Sequence, residues 1–127
     1  CITNDYSYDY VFSRQIEALA KSTDIAIGIS TGGTSKNVCE GLQTAKKIGC
    51  KTIGFSGRGG GDFNSLCDIN LIVPAKDTPR IQEMHILIGH TICHLIDLAF
   101  EWNKKRYLSD IAIDRISLKV PLNDQIS

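Results

Sequence analysis

Residues 24–35 read Asp24-Ile25-Ala26-Ile27-Gly28-Ile29-Ser30-Thr31-Gly32-Gly33-Thr34-Ser35. The apolar run is too short for a core helix, and it gives way to small hydroxyl and glycine residues before a helical pattern begins. This order predicts a strand, a loop and a helix start. Such a loop can direct backbone N–H groups and hydroxyls at an anion, and the helix dipole favours negative charge there. The residues therefore predict a phosphate site, with an ordinary turn and a hydroxyl cap as the alternative.

Helical and strand patterns alternate along the rest of the chain. Helices are predicted over 8–20, 36–48, 63–67 and from Pro79, after an N-cap at Thr78, to about Trp102, and strands over 25–29, 51–55 and 70–73. This alternation predicts an α/β fold with a central parallel sheet, whose ligands bind at the carboxyl ends of the strands. The change of character after Trp102 predicts an appended tail over 103–127.

The composition narrows the class of protein. A length of 127 residues suits one domain, and fourteen basic side chains balance fourteen acidic ones, so no charge surplus indicates nucleic acid or a membrane surface. Five scattered cysteines without a CxxC pair argue against disulfides and against a thiolate zinc site, which favours a cytoplasmic protein. Because the sequence begins at Cys1, we expect an earlier part to be absent.

The loop residues also limit the ligand. The loop has neither the GxxxxGK[ST] spacing of a P-loop nor GxGxxG, so a nucleotide is not implied. Hydroxyls and glycines without a lysine suit a sugar-phosphate monoester better. A second glycine-rich segment, residues 56–62, could meet an anion through Arg58 or could be a plain connection.

The long helix carries the candidate reactive groups. Gln82 and His90 are eight positions apart and can flank one site, while His90 and His94 have the i, i+4 spacing that also suits a metal. A histidine held within the core is the alternative for His90.

Three segments, within about residues 2–100, resemble the phosphoheptose (sedoheptulose-7-phosphate) isomerases of the sugar isomerase (SIS) domain superfamily. They are Asn4-Asp5-Tyr6 with residues 11–15, the loop from Gly28 to Ser35, and the run from Thr78 to His90. The resemblance implies a flavodoxin-like three-layer α/β sandwich whose N-terminal part is missing here, with residues 1–102 as a partial SIS domain. It also implies a homotetramer with sites between subunits.

The resemblance implies roles for individual residues. The substrate phosphate would be held by Ser30, Thr31, Gly32 and Ser35, and the sugar chain would be contacted by Asn4 and Asp5. Gln82 and His90 would line the reactive centre and would ligate zinc in the members that bind it. His90 would be the acid/base partner of a glutamate that lies upstream of Cys1.

The implied activity is an aldose–ketose isomerisation. Sedoheptulose 7-phosphate would become D-glycero-D-manno-heptose 7-phosphate through an enediol, for surface heptose in lipopolysaccharide or capsule, and an imidazole suits the proton transfer. Two departures stand against it: Gly32 replaces the family's usual serine, and without the upstream part this chain alone should be inactive. The alternatives are a non-catalytic SIS domain, acting as a sugar-phosphate sensor or replication-initiator-binding adaptor, and a truncated structural subunit.

Overall fold

The computed structural model describes residues 1–117, and side chains as far as residue 108. The elements in chain order are α1 Ile2–Asp5, a 3-10 turn Tyr8–Tyr10, α2 Val11–Leu19, β1 Ile25–Ile29, α3 Lys36–Ile48, β2 Lys51–Gly57, α4 Phe63–Leu66, β3 Ile69–Val73 and α5 Thr78–Ser117. Contacts divide the chain into a first unit, Cys1–Ile88, and a second unit that begins at Gly89.

The three strands form one parallel sheet in the order β1-β2-β3. Gly28 lies beside Gly54 and Ile29 beside Phe55, while Gly57 lies beside Val73 on the other neighbour of β2. The predicted α/β fold with a parallel sheet is therefore confirmed, and β2 is its central strand.

Helices cover both faces of this sheet. On one face a Cβ added at Gly28 would lie 2.6 Å from Leu42 of α3, and one added at Gly54 would lie 2.7 Å from Phe63 of α4. Side chains alternate along a strand, so Phe55 points to the opposite face, where its ring centroid is 6.0 Å from that of His85 in α5. The first unit thus has helix, sheet and helix layers.

Strand β1 is less covered than the other two. Ile25, Ile27 and Ile29 point to the same face as Phe55, yet they are 62, 51 and 56% exposed. Parallel sheets are usually covered on both faces. Within residues 1–88 no helix covers this row of isoleucines.

Helix α5 runs on to Ser117 rather than ending near Trp102. Neither glycine nor proline occurs from His90 to Ser117, so the change in composition after Trp102 carries no helix-breaking residue. The assignment of residues 1–102 and 103–127 as domain and tail stays a prediction, and 118–127 lie outside the described residues. At the other end, the predicted helix over 8–20 divides into the 3-10 turn and α2.

None of the described helices is both long enough and apolar enough to cross a membrane.

Asp68 joins the start of β3 to β2. Its carboxylate accepts from the Thr52 backbone N–H at 2.9 Å and from the Thr52 hydroxyl at 3.3 Å. The backbone bond from Thr52 is the main reason that the pKa of Asp68 is lowered. A depressed carboxyl pKa adds stability that is present above the unfolded-state pKa and is lost as the pH falls through the folded-state pKa.

We therefore expect Asp68→Asn to weaken the dependence of the free energy of unfolding on pH at acidic pH. Urea unfolding at a series of pH values should show that the variant loses less free energy of unfolding than the parent chain on acidification. Asp97→Asn, an exposed change on α5, is the charge-matched control. Parallel profiles for Asp68→Asn and the parent would contradict this role for the Thr52 bonds.

Candidate functional site

The Ser30–Ser35 loop follows β1 and brings two hydroxyls together. The Ser30 N–H donates to the Phe55 carbonyl at 3.0 Å, and the Gly33 N–H donates to the Ser30 carbonyl at 3.0 Å, which closes a turn. This turn places the Ser30 and Ser35 hydroxyl oxygens 2.8 Å apart, with Ser30 only 8% exposed.

Ser35 stands at the N-cap position of α3, but its hydroxyl does not cap the helix. Its carbonyl accepts from the Val38 and Cys39 N–H groups, as an N-cap carbonyl does, while its side chain makes no capping bond. The hydroxyl is instead paired with Ser30. The ordinary turn with a hydroxyl cap, the alternative to a phosphate site, therefore does not account for Ser35.

Backbone donors of the loop remain available beside these hydroxyls. Among the described residues, none accepts from the N–H groups of Thr31, Gly32, Thr34 or Ser35. They lie at the N-terminus of α3, where the helix dipole favours an anion. Neutral donors at a helix N-terminus suit a phosphate monoester.

The cationic side chain in the first turn of α3 is engaged away from the loop. The Lys36 ammonium, in the first turn of α3, lies 2.6 Å from the Asp9 carboxylate, and this hydrogen bond raises the pKa of Lys36. Burial raises the pKa of the Cys39 thiol, whose sulfur lies 4.0 Å from the Gly33 carbonyl oxygen. A protonated thiol is a weak donor and not a nucleophile.

The glycine loop, residues 58–62, packs directly against the Ser30–Ser35 loop. A Cβ at Gly33 would overlap the Gly60 carbonyl, at 2.7 Å from its carbon, and one at Gly61 would lie 2.7 Å from Thr34 Cγ2. The Phe63 N–H also donates to the Gly33 carbonyl at 3.3 Å. The sequence predicted residues 56–62 as an anion site or a plain connection, and this supporting role was missed. The run of three glycines was the signal that could have indicated it.

The other predicted site residues lie on two further elements. Asn4 and Asp5 are exposed in α1, where the Asn4 amide donates to the Asp5 carboxylate at 3.2 Å, and no described contact joins them to the Ser30–Ser35 loop. Gln82 is exposed on α5 within the first unit, and His90 is exposed on α5 within the second. The structure thus brings together the four loop residues, while Asn4, Asp5 and Gln82 of the same unit make no described contact with them.

Comparison with known proteins finds similar chains in one family. The SIS domain model matches residues 1–57. The phosphoheptose isomerase of Aliarcobacter butzleri is 65% identical over 96 residues, which are 76% of this chain and 51% of that protein. Over about three quarters of its length, the chain therefore matches phosphoheptose isomerases of the SIS domain family.

Two further comparisons agree with this assignment. The phosphoheptose isomerase of Campylobacter concisus is 58% identical over 99 residues, 78% of this chain and 52% of that protein. The solved phosphoheptose isomerase of Neisseria gonorrhoeae superposes with a TM-score of 0.73 at 43% identity, over 75% of this chain and 54% of that chain. The chain spans about half the length of the relatives that it matches.

Zinc is the metal that the SIS resemblance implies, and the described residues do not complete a site for it. Gln82 and His90 supply an amide oxygen and an imidazole, two of the four ligands that zinc usually takes. Among the described residues no group of three or more His, Cys, Asp and Glu could hold a metal. Zinc ligation by Gln82 and His90 stays a prediction, and no step of the chemistry is derived through a metal.

Gly32 has room for the serine that the family usually carries. A Cβ there would meet only Thr34 Oγ1, at 3.4 Å, and Gly32 is not among the glycines with a positive φ. We expect Gly32→Ser to fold normally and to bind inorganic phosphate about five- to tenfold more tightly, because one hydroxyl donor to an anion is added.

Isothermal titration with inorganic phosphate measures this gain, and Gly32→Ala controls for the added Cβ without the hydroxyl. An affinity of Gly32→Ser no higher than that of Gly32→Ala would show that this side chain does not face the anion.

Proposed function

We propose that this chain forms part of a phosphoheptose isomerase, an aldose–ketose isomerase that converts sedoheptulose 7-phosphate into D-glycero-D-manno-heptose 7-phosphate. The observation that carries the proposal is the paired Ser30 and Ser35 hydroxyls beside open N–H groups, in a chain that is 65% identical to a phosphoheptose isomerase over 96 residues. The loop would hold the substrate phosphate, which lies far along the sugar from the reacting carbons.

The reaction needs two proton transfers. One group takes the proton from the carbon next to the carbonyl, which gives the enediol, and a proton is then returned to the former carbonyl carbon, while a second group moves a proton between the two oxygens. We assign the imidazole of His90 as one of these groups, because it is exposed in the second unit and imidazole is the side chain most often used for general acid–base catalysis. The glutamate that the resemblance pairs with it would come from the rest of the protein.

Three polar residues would orient the sugar in this proposal. Asn4 offers an amide donor and acceptor and Asp5 a carboxylate acceptor, which suit successive hydroxyls of a sugar chain. Gln82 would contact the oxygens of the reacting carbons. All three side chains are exposed, so each is accessible to a bound sugar.

We also propose that the protein is a homotetramer with sites between subunits. The support is a set of large apolar side chains of α5 in the second unit, all exposed: Leu95, Ile96, Leu98, Phe100 and Trp102. Exposed apolar patches of this kind mark interaction surfaces. Sedimentation equilibrium would measure the mass, and a monomer at micromolar concentration would contradict the proposal.

The setting of the reaction is part of the same proposal. The protein would act in the cytoplasm and supply heptose for lipopolysaccharide or capsule. Further chain would cover the exposed isoleucines of β1, because the matched region is only about half the length of the relatives.

The experiment that tests the function is an isomerase assay of the full-length protein. Sedoheptulose 7-phosphate should yield the aldose, while fructose 6-phosphate, a shorter ketose phosphate, should react much more slowly. Gly32 favours the second candidate, a sugar-phosphate sensor or adaptor, because one phosphate donor is missing. Saturable binding of sedoheptulose 7-phosphate without turnover would support that candidate and overturn the isomerase.

A further inference from the structure

The start of α5 is held onto the end of β2 by contacts at successive helical turns. The His85 Nε2 lies 3.0 Å from the Ser56 carbonyl oxygen, and because a carbonyl only accepts, Nε2 carries the hydrogen. One turn earlier, buried Ile81 fills the space beside Gly57, where a Cβ would lie 2.6 Å from Ile81 Cδ1. The helix is therefore docked along one face.

Arg58 continues this docking by one more turn. Its Nη2 donates to the Thr78 hydroxyl at 2.5 Å, and its Nε donates to the Lys76 carbonyl at 3.1 Å. Residues 56, 57 and 58 thus meet helix positions 85, 81 and 78, whose spacings of four and three place them on one face.

The backbone conformation at Arg58 would suit glycine, so the presence of arginine requires a reason in its side chain. Its φ is 55°, in the left-handed region, as are those of the three glycines that follow. A glycine would adopt this conformation without a steric penalty. What arginine adds at this position is its side-chain bonds to the start of α5.

Arg58 also adjoins the part of the glycine loop that supports the phosphate-binding candidate. Gly60 and Gly61, two and three residues further on, pack against Gly33 and Thr34. Gln82 lies one turn after Thr78 on α5. A short path therefore joins the Ser30–Ser35 loop, through Arg58, to the helix turn that carries Gln82.

We propose that Arg58 is a positioning residue, which fixes the first turns of α5, and with them Gln82, relative to the Ser30–Ser35 loop. The consequence for catalysis rests on the proposed function. When the phosphate is held at the loop, the distance from the loop to Gln82 fixes how long a sugar phosphate must be for its reacting carbons to reach Gln82. Arg58 is then a determinant of substrate length without touching the substrate.

The first test needs no ligand. In the 127-residue chain, Arg58→Gln should speed amide hydrogen exchange at residues 81–84 about fivefold or more, because its bonds to the helix start are lost. Thr78→Val, which removes the accepting hydroxyl, should do the same in part, and the double variant should exchange no faster than Arg58→Gln. Exchange at the parent rate in both single variants would overturn the proposal.

Arg80→Gln is the matched control. Arg80 is an exposed arginine in the first turn of α5 whose guanidinium lies 2.9 Å from Glu83 on the same helix, so the variant loses the same charge without touching the glycine loop. It should leave exchange at residues 81–84 within about twofold of the parent rate. Equal acceleration in Arg80→Gln and Arg58→Gln would assign the effect to charge alone and overturn the proposal.

The second test separates positioning from direct anion binding. Titration with inorganic phosphate should give Arg58→Gln a half-saturation within about twofold of the parent chain, since the loop donors are intact. A loss of about tenfold or more in Arg58→Gln but not in Thr78→Val would make Arg58 an anion ligand and overturn the proposal. If the parent chain binds no phosphate, the proposed function fails, while the exchange test still decides the role of Arg58.

Two further measurements complete the test. Should Arg58→Gln fail to fold, Thr78→Val and Arg58→Lys take its place in both experiments. In the full-length enzyme Arg58→Gln should lower kcat for sedoheptulose 7-phosphate about tenfold with KM little changed, because orientation is lost and phosphate binding is kept. A rise in KM with kcat unchanged would overturn the proposal.

Discussion

We expect His90→Ala to lower the proposed isomerase activity of the full-length protein by about a thousandfold or more, while phosphate binding and the fold are kept. The size follows from the role, because an acid/base group positioned at the reacting carbons contributes about 10²–10⁴ in rate. The fold should be kept because His90 is exposed, so its removal leaves no cavity in the core. Turnover of sedoheptulose 7-phosphate and thermal unfolding are the two measurements.

His94→Ala is the control for this prediction. His94 lies four residues further along α5 and is also exposed, so the variant removes the same imidazole from the same helix. We expect it to keep activity within about threefold of the parent, the scatter usual for a surface change. Unchanged turnover in His90→Ala, or equal losses in both variants, would exclude His90 as the acid/base group.

Gly33→Ala should disrupt the Ser30–Ser35 loop more than any other single methyl added there. The φ of Gly33 is +67°, and its Cβ would overlap the Gly60 carbonyl. The left-handed backbone costs alanine about 1 kcal/mol, and overpacking against backbone adds about 1–3 kcal/mol, so we expect a loss of about 2–4 kcal/mol in the free energy of unfolding. Urea unfolding measures it.

Phosphate binding should be lost together with this stability, because the two loops can no longer pack as they do. Gly32→Ala is the matched control, since its Cβ meets nothing closer than 3.4 Å. We expect that variant to lose less than about 0.5 kcal/mol. A Gly33→Ala chain with parent stability and parent phosphate affinity would show that the glycine loop does not support the Ser30–Ser35 loop.

The local elements of the fold were predictable because their signals are local. Strand β1 and helix α3 have the predicted bounds. The apolar run of β1 stops before the polar Ser30, and Gly49, with a φ of +101°, ends α3. Helix α5 begins at Thr78, one residue before the predicted first helical position at Pro79. The predicted end of α5 near Trp102 was wrong, because the composition changes there but no residue that breaks a helix follows before Ser117.

The supporting contacts of the candidate site could not be predicted because they join distant segments. The Ser30–Ser35 loop was visible as a pattern, yet the pairing of its hydroxyls depends on the turn at Gly33. Contact between two glycine-rich loops follows from the packing of neighbouring strand ends, which no single segment encodes. The same holds for Arg58, whose partners Lys76 and Thr78 follow the next strand.

The most direct test of the isomerase proposal is incubation of the full-length protein with sedoheptulose 7-phosphate in deuterated water. An enediol route gives the aldose 7-phosphate and exchanges the transferred hydrogen at the reacting carbon with solvent, so deuterium should replace that hydrogen and its proton NMR signal should be lost. His90→Ala should show neither product nor label. Saturable binding of the sugar phosphate with no product and no deuterium in the parent protein would contradict the account.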